Sequence, residues 1–290
     1  MASLSDARLL VTGSSGFTGP YLIAAARARG WDVHPASAAF DLSDAASIDA
    51  ELAASRPDLI VHLAGISHVA HPDPLAMYRV NTIGTTNLLD AIERSGRSVR
   101  RILLASSANV YGNVSVQRID EAVVPRPVNH YGCSKLAMEQ LALARVDRLP
   151  VVVARAFNYT GPGQSEAFLI PKIVGHYVRR EPEIVLGNTH VARDFSDVRM
   201  VAEAYCRLLE ADVAGQTVNV CSGIARTLQS VLDAMARLTG HRPAVRVDPG
   251  LVRRNEVVSL AGDPGRLHAA VGSLPHADFE ETLAWMCAGT

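Results

Sequence analysis

Short runs of aliphatic and β-branched residues alternate with longer amphipathic stretches through the first half of the chain. Five of these runs predict buried strands, at Arg8–Thr12, 31–36, 58–64, 99–106 and 150–156. Strands that are apolar on both faces and separated by helices are typical of a parallel sheet covered on both sides. With right-handed crossovers, this arrangement is a doubly wound α/β fold.

Helical spacing of apolar residues predicts helices at residues 20–29 and 74–95. One face of the second helix is predicted to be buried, through Leu75, Tyr78, Leu88, Leu89 and Ile92. Beyond residue 156 the pattern is less regular, and the predicted elements are helices at 165–180, Val198–Glu210, 226–238 and 279–287 and strands at 217–221 and Ala244–Val247.

Charge and cysteine content exclude several classes of function. The 28 Lys and Arg residues nearly balance 29 Asp and Glu, for a net charge of −1, which argues against sequence-independent nucleic-acid binding. The four cysteines form no CxxC pair, so neither a metal site nor a disulfide framework is expected. With no secretory signal pattern and no membrane-length apolar stretch, we expect a cytoplasmic protein without a membrane partner.

A glycine-rich turn follows the first strand. Gly13, Gly16 and Gly19 have the spacing GxxGxxG between a strand and a helix. Glycines at these positions allow backbone N–H groups to approach a pyrophosphate at the positive end of the helix. The alternative is a Gly/Ser turn without a ligand, but the strand–turn–helix context favours a dinucleotide site.

The second predicted strand ends in His34-Pro35-Ala36-Ser37, which provides neither the acid typical of NAD sites nor the base typical of NADP sites. Asp41 follows; in proteins that this chain resembles, such a residue contacts the adenine end of the dinucleotide, and the alternative is a simple helix cap. The sequence therefore predicts NAD(P)(H) and leaves NADH versus NADPH open.

The glycine turn and the later pattern together predict a Rossmann-type doubly wound sheet with a smaller, interleaved C-terminal lobe. We assign a dinucleotide-binding domain to residues 1–160 and 194–222, and a substrate lobe to residues 161–193 and 223–290.

Tyr131 and Lys135 are four residues apart and would share one helix face. A nearby ammonium and a cationic nicotinamide would favour the phenolate and lower the pKa of the tyrosine towards neutrality. Ser107 ends the fourth strand, where open α/β sheets bind ligands, and its hydroxyl would stabilise charge on a substrate oxygen. Each pattern also occurs by chance, as an ordinary helix or a serine-rich turn, but chance agreement of both with the glycine turn is improbable.

These segments resemble the extended short-chain dehydrogenase/reductase family. The motifs that carry the resemblance are TGSSGFTG at 12–19, HLAG at 62–65, YRVNTIGT at 78–85, SSANVYG at 106–112, YGCSK at 131–135, RAFNYTGPGQ at 155–164, RDFSDV at 193–198 and NVCSG at 219–223. The resemblance covers nearly the whole chain, and it implies an enzyme that acts on a nucleotide sugar.

The resemblance also implies residue roles. The catalytic residues would be Ser107, Tyr131 and Lys135. The cofactor-binding residues would be Gly13, Ser15, Gly16, Phe17, Thr18, Asp41, Leu42, Leu63, Ala64, Gly65, Asn81, Tyr131 and Lys135. The substrate-binding residues would be Ser107, Asn158, Arg193, Arg253 and Glu256, with Arg193 on the diphosphate.

Some of these roles have structural alternatives. Asn158 is also typical of a turn, and Arg193 of a surface ion pair with Asp194 or Asp197. Glu256 stands where the family has aspartate. Three histidines follow the third strand without metal-binding spacing; His62 is expected to pack in the core, and His68 to reach towards the substrate from its loop.

The expected reaction is NAD(P)H-dependent reduction of the C4 ketone of an NDP-4-keto-6-deoxyhexose. The motifs are most similar to those of family members that reduce GDP-4-keto-6-deoxymannose to GDP-D-rhamnose. Ala108 and Asn109 follow Ser107 where dehydratases carry an acid, which disfavours dehydration. A 4-epimerase remains open, as does the nucleotide, and a non-catalytic dinucleotide sensor is a distant alternative. Family members pair through the helices equivalent to 74–95 and 130–146, so a homodimer is expected.

Overall fold

A computed structural model describes residues 6–69, 71–114, 116–189, 191–251, 259–275 and 278–289. Its strands are β1 Arg8–Thr12, β2 Asp32–Pro35, β3 Leu59–His62, β4 Arg101–Ser107, β5 Val151–Ala156, β6 Asn158–Thr160, β7 Glu183–Leu186, β8 Ala192–Asp197, β9 Thr217–Val220, β10 Ala225–Thr227, β11 Ala244–Val247 and β12 Ser259–Leu260. Its α-helices are α1 Gly19–Arg27, α2 Ala45–Ser55, α3 Pro74–Met77, α4 Thr85–Ser95, α5 His130–Leu143, α6 Leu169–Val178, α7 Val198–Glu210, α8 Leu228–Thr239, α9 Gly265–Val271 and α10 Phe279–Ala288.

Six parallel strands form the central sheet, in the order β2-β1-β3-β4-β5-β9. Apolar side chains project from both faces of this sheet: Leu9 packs with α1 and α7, whereas Leu10 packs with α2, α4 and α5. The predicted Rossmann-type doubly wound sheet is therefore confirmed. The strand order reverses between β1 and β3, and a ligand crevice forms at such a point, outside the carboxyl ends of the strands.

The helix predicted at 74–95 is interrupted by one π-helical segment, Tyr78–Gly84, between α3 and α4. Leu88, Leu89 and Ile92 are buried as predicted. The prediction for Leu75 is wrong: its side chain is 65% exposed and Met77 is buried instead. The π segment explains this result, because its i→i+5 hydrogen bonds add a residue to the turn and rotate the preceding residues relative to an uninterrupted α-helix.

A smaller set of strands lies outside the central sheet. Strands β10, β8 and β12 form one sheet, β6 pairs with β8, and β11 pairs with β7. Helices α6, α8 and α10 share a separate apolar core with these strands. Since α7 packs against α1 and β9 closes the central sheet, the chain returns to the large layer after β8, as the predicted interleaving requires.

The predicted domain limits at residues 160 and 194 differ slightly from the strand pairing, because β6 and the whole of β8 pair with each other outside the central sheet. The division itself stays a prediction. Among the described helices, none combines the length and apolar character needed to cross a bilayer.

Candidate active site

The glycine-rich turn lies at the carboxyl end of β1, beside the chain leaving β3. Gly13 has φ +69°, and a Cβ there would lie 2.5 Å from the amide nitrogen of Ala64. A Cβ on Gly19 would lie 1.9 Å from the carbonyl oxygen of Ser14. Ser15 and Gly16 are exposed at the tip of the turn. The turn thus leaves an open backbone surface before α1, which fits the pyrophosphate of a dinucleotide.

Phe17 and Thr18 connect this turn to β6. The Thr18 hydroxyl and the Tyr159 hydroxyl are 2.8 Å apart and hydrogen-bonded, and the Phe17 and Tyr159 rings stack with centroids 5.9 Å apart. The Tyr21 hydroxyl also donates to the carbonyl of Pro162 at 2.7 Å. The glycine turn and the start of α1 are therefore in direct contact with residues 159–162, which lead into the smaller lobe.

The chain after β3 is held by Asn81, which is fully buried in the π-helical segment. Its amide oxygen accepts from the Ile66 nitrogen at 2.8 Å, and its amide nitrogen donates to the Ile66 carbonyl and to Ser134 Oγ, both at 3.1 Å. Leu63 and Ala64 lie against Gly13 of the glycine turn, and exposed Gly65 lies against the Asn81 side chain, so three predicted cofactor residues follow β3 at this point.

Asp41 lies in the loop between β2 and α2. It does not cap α2, because the N-cap is Asp44, whose side chain accepts from the Ala46 nitrogen. Asp41 accepts instead from the backbone and side chain of Ser43, and these hydrogen bonds hold the pKa of its carboxyl below the usual value. Leu42 is buried in the core against α4. Of the two interpretations of Asp41, the helix cap is therefore wrong.

Ser107 and Tyr131 are brought together by β4 and α5. Ser107 ends β4 and caps a 3₁₀ turn, accepting from the nitrogen and side-chain amide of Asn109 at 3.2 and 3.1 Å. Tyr131 is in the first turn of α5, where its hydroxyl forms a hydrogen bond with Ser107. Both side chains are buried. Two hydroxyl groups thus meet at the carboxyl end of the central sheet.

The expected lowering of the Tyr131 pKa involves a bound cationic nicotinamide and stays a prediction; the surrounding protein acts in the opposite direction. Burial raises the pKa of Tyr131 to about 12, and the hydrogen bond from Ser107 only partly opposes it. The physical reason is that desolvation of a phenolate outweighs the stabilisation that its neighbours provide. The hydroxyl is therefore protonated at neutral pH and can act as a proton donor.

Lys135 lies one turn after Tyr131 and is 5% exposed. Its ammonium donates to the carbonyl of Ala105 at 2.9 Å, and it faces Gly65, where a Cβ would lie 3.2 Å from Nζ. Burial lowers the pKa of Lys135 to about 8, while the charge of Glu139 opposes this effect. The lysine therefore connects β4, α5 and the chain after β3.

His62 is a core residue, as predicted. Its Nδ1 lies 2.7 Å from the Thr12 hydroxyl and its Nε2 lies 3.0 Å from the Thr85 hydroxyl. Because Thr85 donates to the carbonyl of Asn81, it accepts from His62, which assigns the proton to Nε2. Burial, together with the charge of Lys135, lowers the pKa of His62 to about 3.

The predicted substrate residues lie on the adjacent small strands. Asn158 begins β6, is exposed, and donates to the carbonyl of Asp194 at 3.3 Å. Arg193 is half-buried on β8, and its guanidinium donates to the carbonyl of Ala192 at 2.8 Å. The carboxylate of Asp194 accepts from Ser222 and from two glycine nitrogens, which anchors β8.

Two further predicted residues, Arg253 and Glu256, lie outside the described residues. His68 lies on the exposed loop after β3, where its ring contacts Phe168 at the start of α6 with centroids 6.2 Å apart. Over the described ranges, no three His, Cys, Asp or Glu side chains are grouped so as to hold a metal ion.

A buried ion pair beneath the site was not predicted. Arg155 on β5 donates from Nε and Nη2 to the carboxylate of Glu139 on α5, with distances of 3.0, 3.2 and 2.7 Å. Ser106 also donates to this carboxylate. The spacing of Glu139, four residues after Lys135, could have indicated that it lies near the site. Its pairing with Arg155 could not be predicted, because it depends on the register of β5 against β4.

Comparison with known proteins places this arrangement in context. Residues 9–221 match the NAD dependent epimerase/dehydratase family. A GDP-6-deoxy-D-talose 4-dehydrogenase of Aggregatibacter actinomycetemcomitans is 34% identical over 92% of this chain and 92% of its own length. A GDP-6-deoxy-D-mannose reductase of Pseudomonas aeruginosa is 36% identical over 95% of this chain and 94% of its own length.

The fold also has closely similar solved structures. The structure of RMD from Pseudomonas aeruginosa in complex with NADPH superposes with a TM-score of 0.90 at 35% identity, covering 98% of this chain and 97% of that one. The similarity therefore extends over both the large sheet and the smaller lobe.

Proposed function

Since this chain belongs to the NAD dependent epimerase/dehydratase family, we propose that it is an NAD(P)H-dependent reductase of a nucleotide sugar. The substrate we propose is an NDP-4-keto-6-deoxyhexose, with GDP-4-keto-6-deoxymannose as the first candidate and GDP-D-rhamnose as its product. The observation that carries this proposal is the meeting of the Ser107 and Tyr131 hydroxyls, with the Lys135 ammonium one helical turn away. The two GDP-6-deoxyhexose enzymes that match over most of their length support the choice of substrate.

In the proposed reaction the two hydroxyl groups bind the same oxygen, at C4 of the sugar. Tyr131 donates its proton to that oxygen as charge develops, and its raised pKa keeps the proton available at neutral pH. Ser107 donates a second hydrogen bond that stabilises the developing alkoxide. When bound, a reduced nicotinamide supplies the hydride to C4.

The remaining roles are binding and orientation. The open backbone from Gly13 to Gly16 would hold the pyrophosphate at the start of α1, and Lys135 would hold the ribose next to the nicotinamide. Arg193 and Asn158 would contact the diphosphate and the nucleotide sugar, because a guanidinium pairs with phosphate oxygens through two parallel hydrogen bonds.

The test is an assay with GDP-4-keto-6-deoxymannose and either NADPH or NADH, followed at the nicotinamide absorbance band. We expect loss of absorbance and formation of a GDP-6-deoxyhexose reduced at C4. If neither NADPH nor NADH is oxidised in the presence of this substrate, the proposal is overturned. Inversion of the configuration at C4 of an NDP-sugar without added cofactor would instead identify a 4-epimerase. A separate thermal-shift screen of GDP, dTDP and UDP would identify the nucleotide that the site binds.

We also propose that the enzyme is a cytoplasmic homodimer that pairs through the helical segments around α4 and α5. Leu75 and Ile83 on the first segment are 65% and 54% exposed, and Leu141 and Val146 on or after α5 are each 44% exposed. Apolar side chains grouped on neighbouring helices favour a protein interface. Light scattering should give twice the mass of 31.0 kDa, and Ile83→Glu with Leu141→Glu should give the monomer; a wild-type monomer would refute the pairing.

A further inference from the structure

Glu139 and Arg155 form an ion pair that is almost completely removed from solvent. Their side chains are 0% and 5% exposed. The pair connects three elements, because Arg155 is the register partner of Ser106 on the adjacent strand and Ser106 donates to the same carboxylate. The guanidinium also lies over the ring of Tyr111, 4.8 Å from its centroid. Burial opposes the charge of Arg155, but its hydrogen bonds to Glu139 raise its pKa, so the guanidinium is charged.

This pair is adjacent to the proton-transfer site on two sides. On α5, Tyr131, Lys135 and Glu139 follow one another at intervals of four residues, so each is one helical turn from the next. On β4, Ser106 precedes Ser107. A buried carboxylate next to a buried ammonium would normally pair with it. Here Arg155 donates to both carboxylate oxygens, from Nε to Oε1 and from Nη2 to Oε2, and the ammonium of Lys135 donates to the carbonyl of Ala105 instead.

We propose that Glu139 and Arg155 are positioning residues of the proton-transfer site. By neutralising each other, they keep the carboxylate away from Lys135, which leaves the ammonium directed at the cofactor side. By joining α5 to β4 and β5, they also hold Tyr131 against Ser107. This inference extends the proposed function, since it concerns how the same site is set for catalysis.

The first test needs no substrate. The chain has only two lysines, Lys135 and Lys172, so a protein labelled with carbon-13 at lysine Cε gives two lysine signals, and Lys172→Arg assigns them. We expect the titration midpoint of Lys135 to fall by about one pH unit in Glu139→Gln, where the charge of Arg155 is left uncompensated, and to rise by about one unit in Arg155→Met. The double variant Glu139→Gln/Arg155→Met should return it close to the wild-type midpoint.

Glu203→Gln is the matched control, because Glu203 pairs with Arg29 and Arg207 on the opposite face of the central sheet. It should leave the Lys135 midpoint unchanged. If Arg155→Met does not fold, the comparison of Glu139→Gln with the double variant still decides the question. An unchanged Lys135 midpoint in folded Glu139→Gln would overturn the inference.

The second test measures activity and rests on the proposed reduction. In Glu139→Gln we expect the alkaline limb of kcat/KM to move to lower pH, together with a decrease of about tenfold in kcat. A purely structural role would lower activity at every pH without moving the limb, and that result would also overturn the inference. Because the lysine titration does not depend on turnover, a wrong substrate assignment would remove this second readout and leave the first intact.

Discussion

Gly13 and Ala64 are in direct backbone contact across the point where the central sheet reverses its strand order. A Cβ on Gly13 would lie 2.5 Å from the amide nitrogen of Ala64. The same glycine has φ +69°, a conformation that side chains disfavour. Two independent constraints therefore require glycine at the position where the predicted pyrophosphate site begins.

We expect Gly13→Ala to reduce cofactor affinity by more than about tenfold and to cost about 3 kcal/mol of stability, because both the collision and the positive φ must be relieved. The measurements are quenching of tryptophan fluorescence by NADPH or NADH, and thermal unfolding. Gly240→Ala is the control: Gly240 has φ +63° but open space around it, so only about 1 kcal/mol should be lost. Equal losses in the two variants would contradict the contact with Ala64.

Tyr131→Phe should lower kcat by about 10²- to 10⁴-fold with little change in KM or melting temperature, because it removes one proton donor and no packing. Steady-state kinetics at neutral pH measure this effect. Tyr177→Phe removes an equivalent hydroxyl, bonded to the Leu232 carbonyl in the smaller lobe, and should leave kcat nearly unchanged. A Tyr131→Phe enzyme with wild-type kcat would exclude Tyr131 as the acid.

The buried His62 should make the fold sensitive to acid. Its pKa is about 3 in the folded state, against about 6.5 when unfolded. The unfolded chain therefore binds the extra proton first, and stability is lost as pH falls from about 6.5 towards 3. Between about pH 7.5 and about pH 5, this group should account for about 2 kcal/mol.

Urea unfolding at these two pH values measures the effect. His62→Asn should show a correspondingly smaller loss of stability on acidification, whereas His268→Asn, at an exposed position, should behave like wild type. The same pH dependence in His62→Asn and wild type would mean that His62 does not carry the effect.

Arg193→Met should raise KM for the nucleotide sugar by about 10- to 100-fold while kcat changes little, because phosphate binding contributes equally to the ground and transition states. Arg94→Met, which removes an exposed pair between Arg94 on α4 and Asp49 on α2, is the control and should leave KM unchanged. An unaltered KM in Arg193→Met would remove this residue from the substrate site.

The features that local sequence encodes were predictable. The glycine spacing, the Tyr131–Lys135 spacing and the apolar strands each depend on neighbouring residues, and the structure contains the corresponding turn, helix and sheet. A Rossmann-type fold follows from these patterns because its strands and crossovers repeat along the chain.

The features that depend on long-range geometry were not predictable. Leu75 is exposed because a π turn changes the phase of a helix whose sequence has ordinary α periodicity. The pairing of Glu139 with Arg155 needs the register of β4 against β5, and a sequence pattern cannot supply that register. The pKa of Tyr131 depends on how much water is excluded around it, which also emerges only from the packed structure.

The stacking of Tyr159 on Phe17 has a kinetic consequence. Tyr159 belongs to β6, whose pairing with β8 aligns it with the strand that carries Arg193. A dinucleotide that fixes the position of the glycine turn would therefore also fix β6 and β8, where the nucleotide sugar is proposed to bind. We therefore expect a compulsory order of addition, in which the nicotinamide cofactor binds before the nucleotide sugar. A random-order pattern in product inhibition would show that the two ligands bind independently.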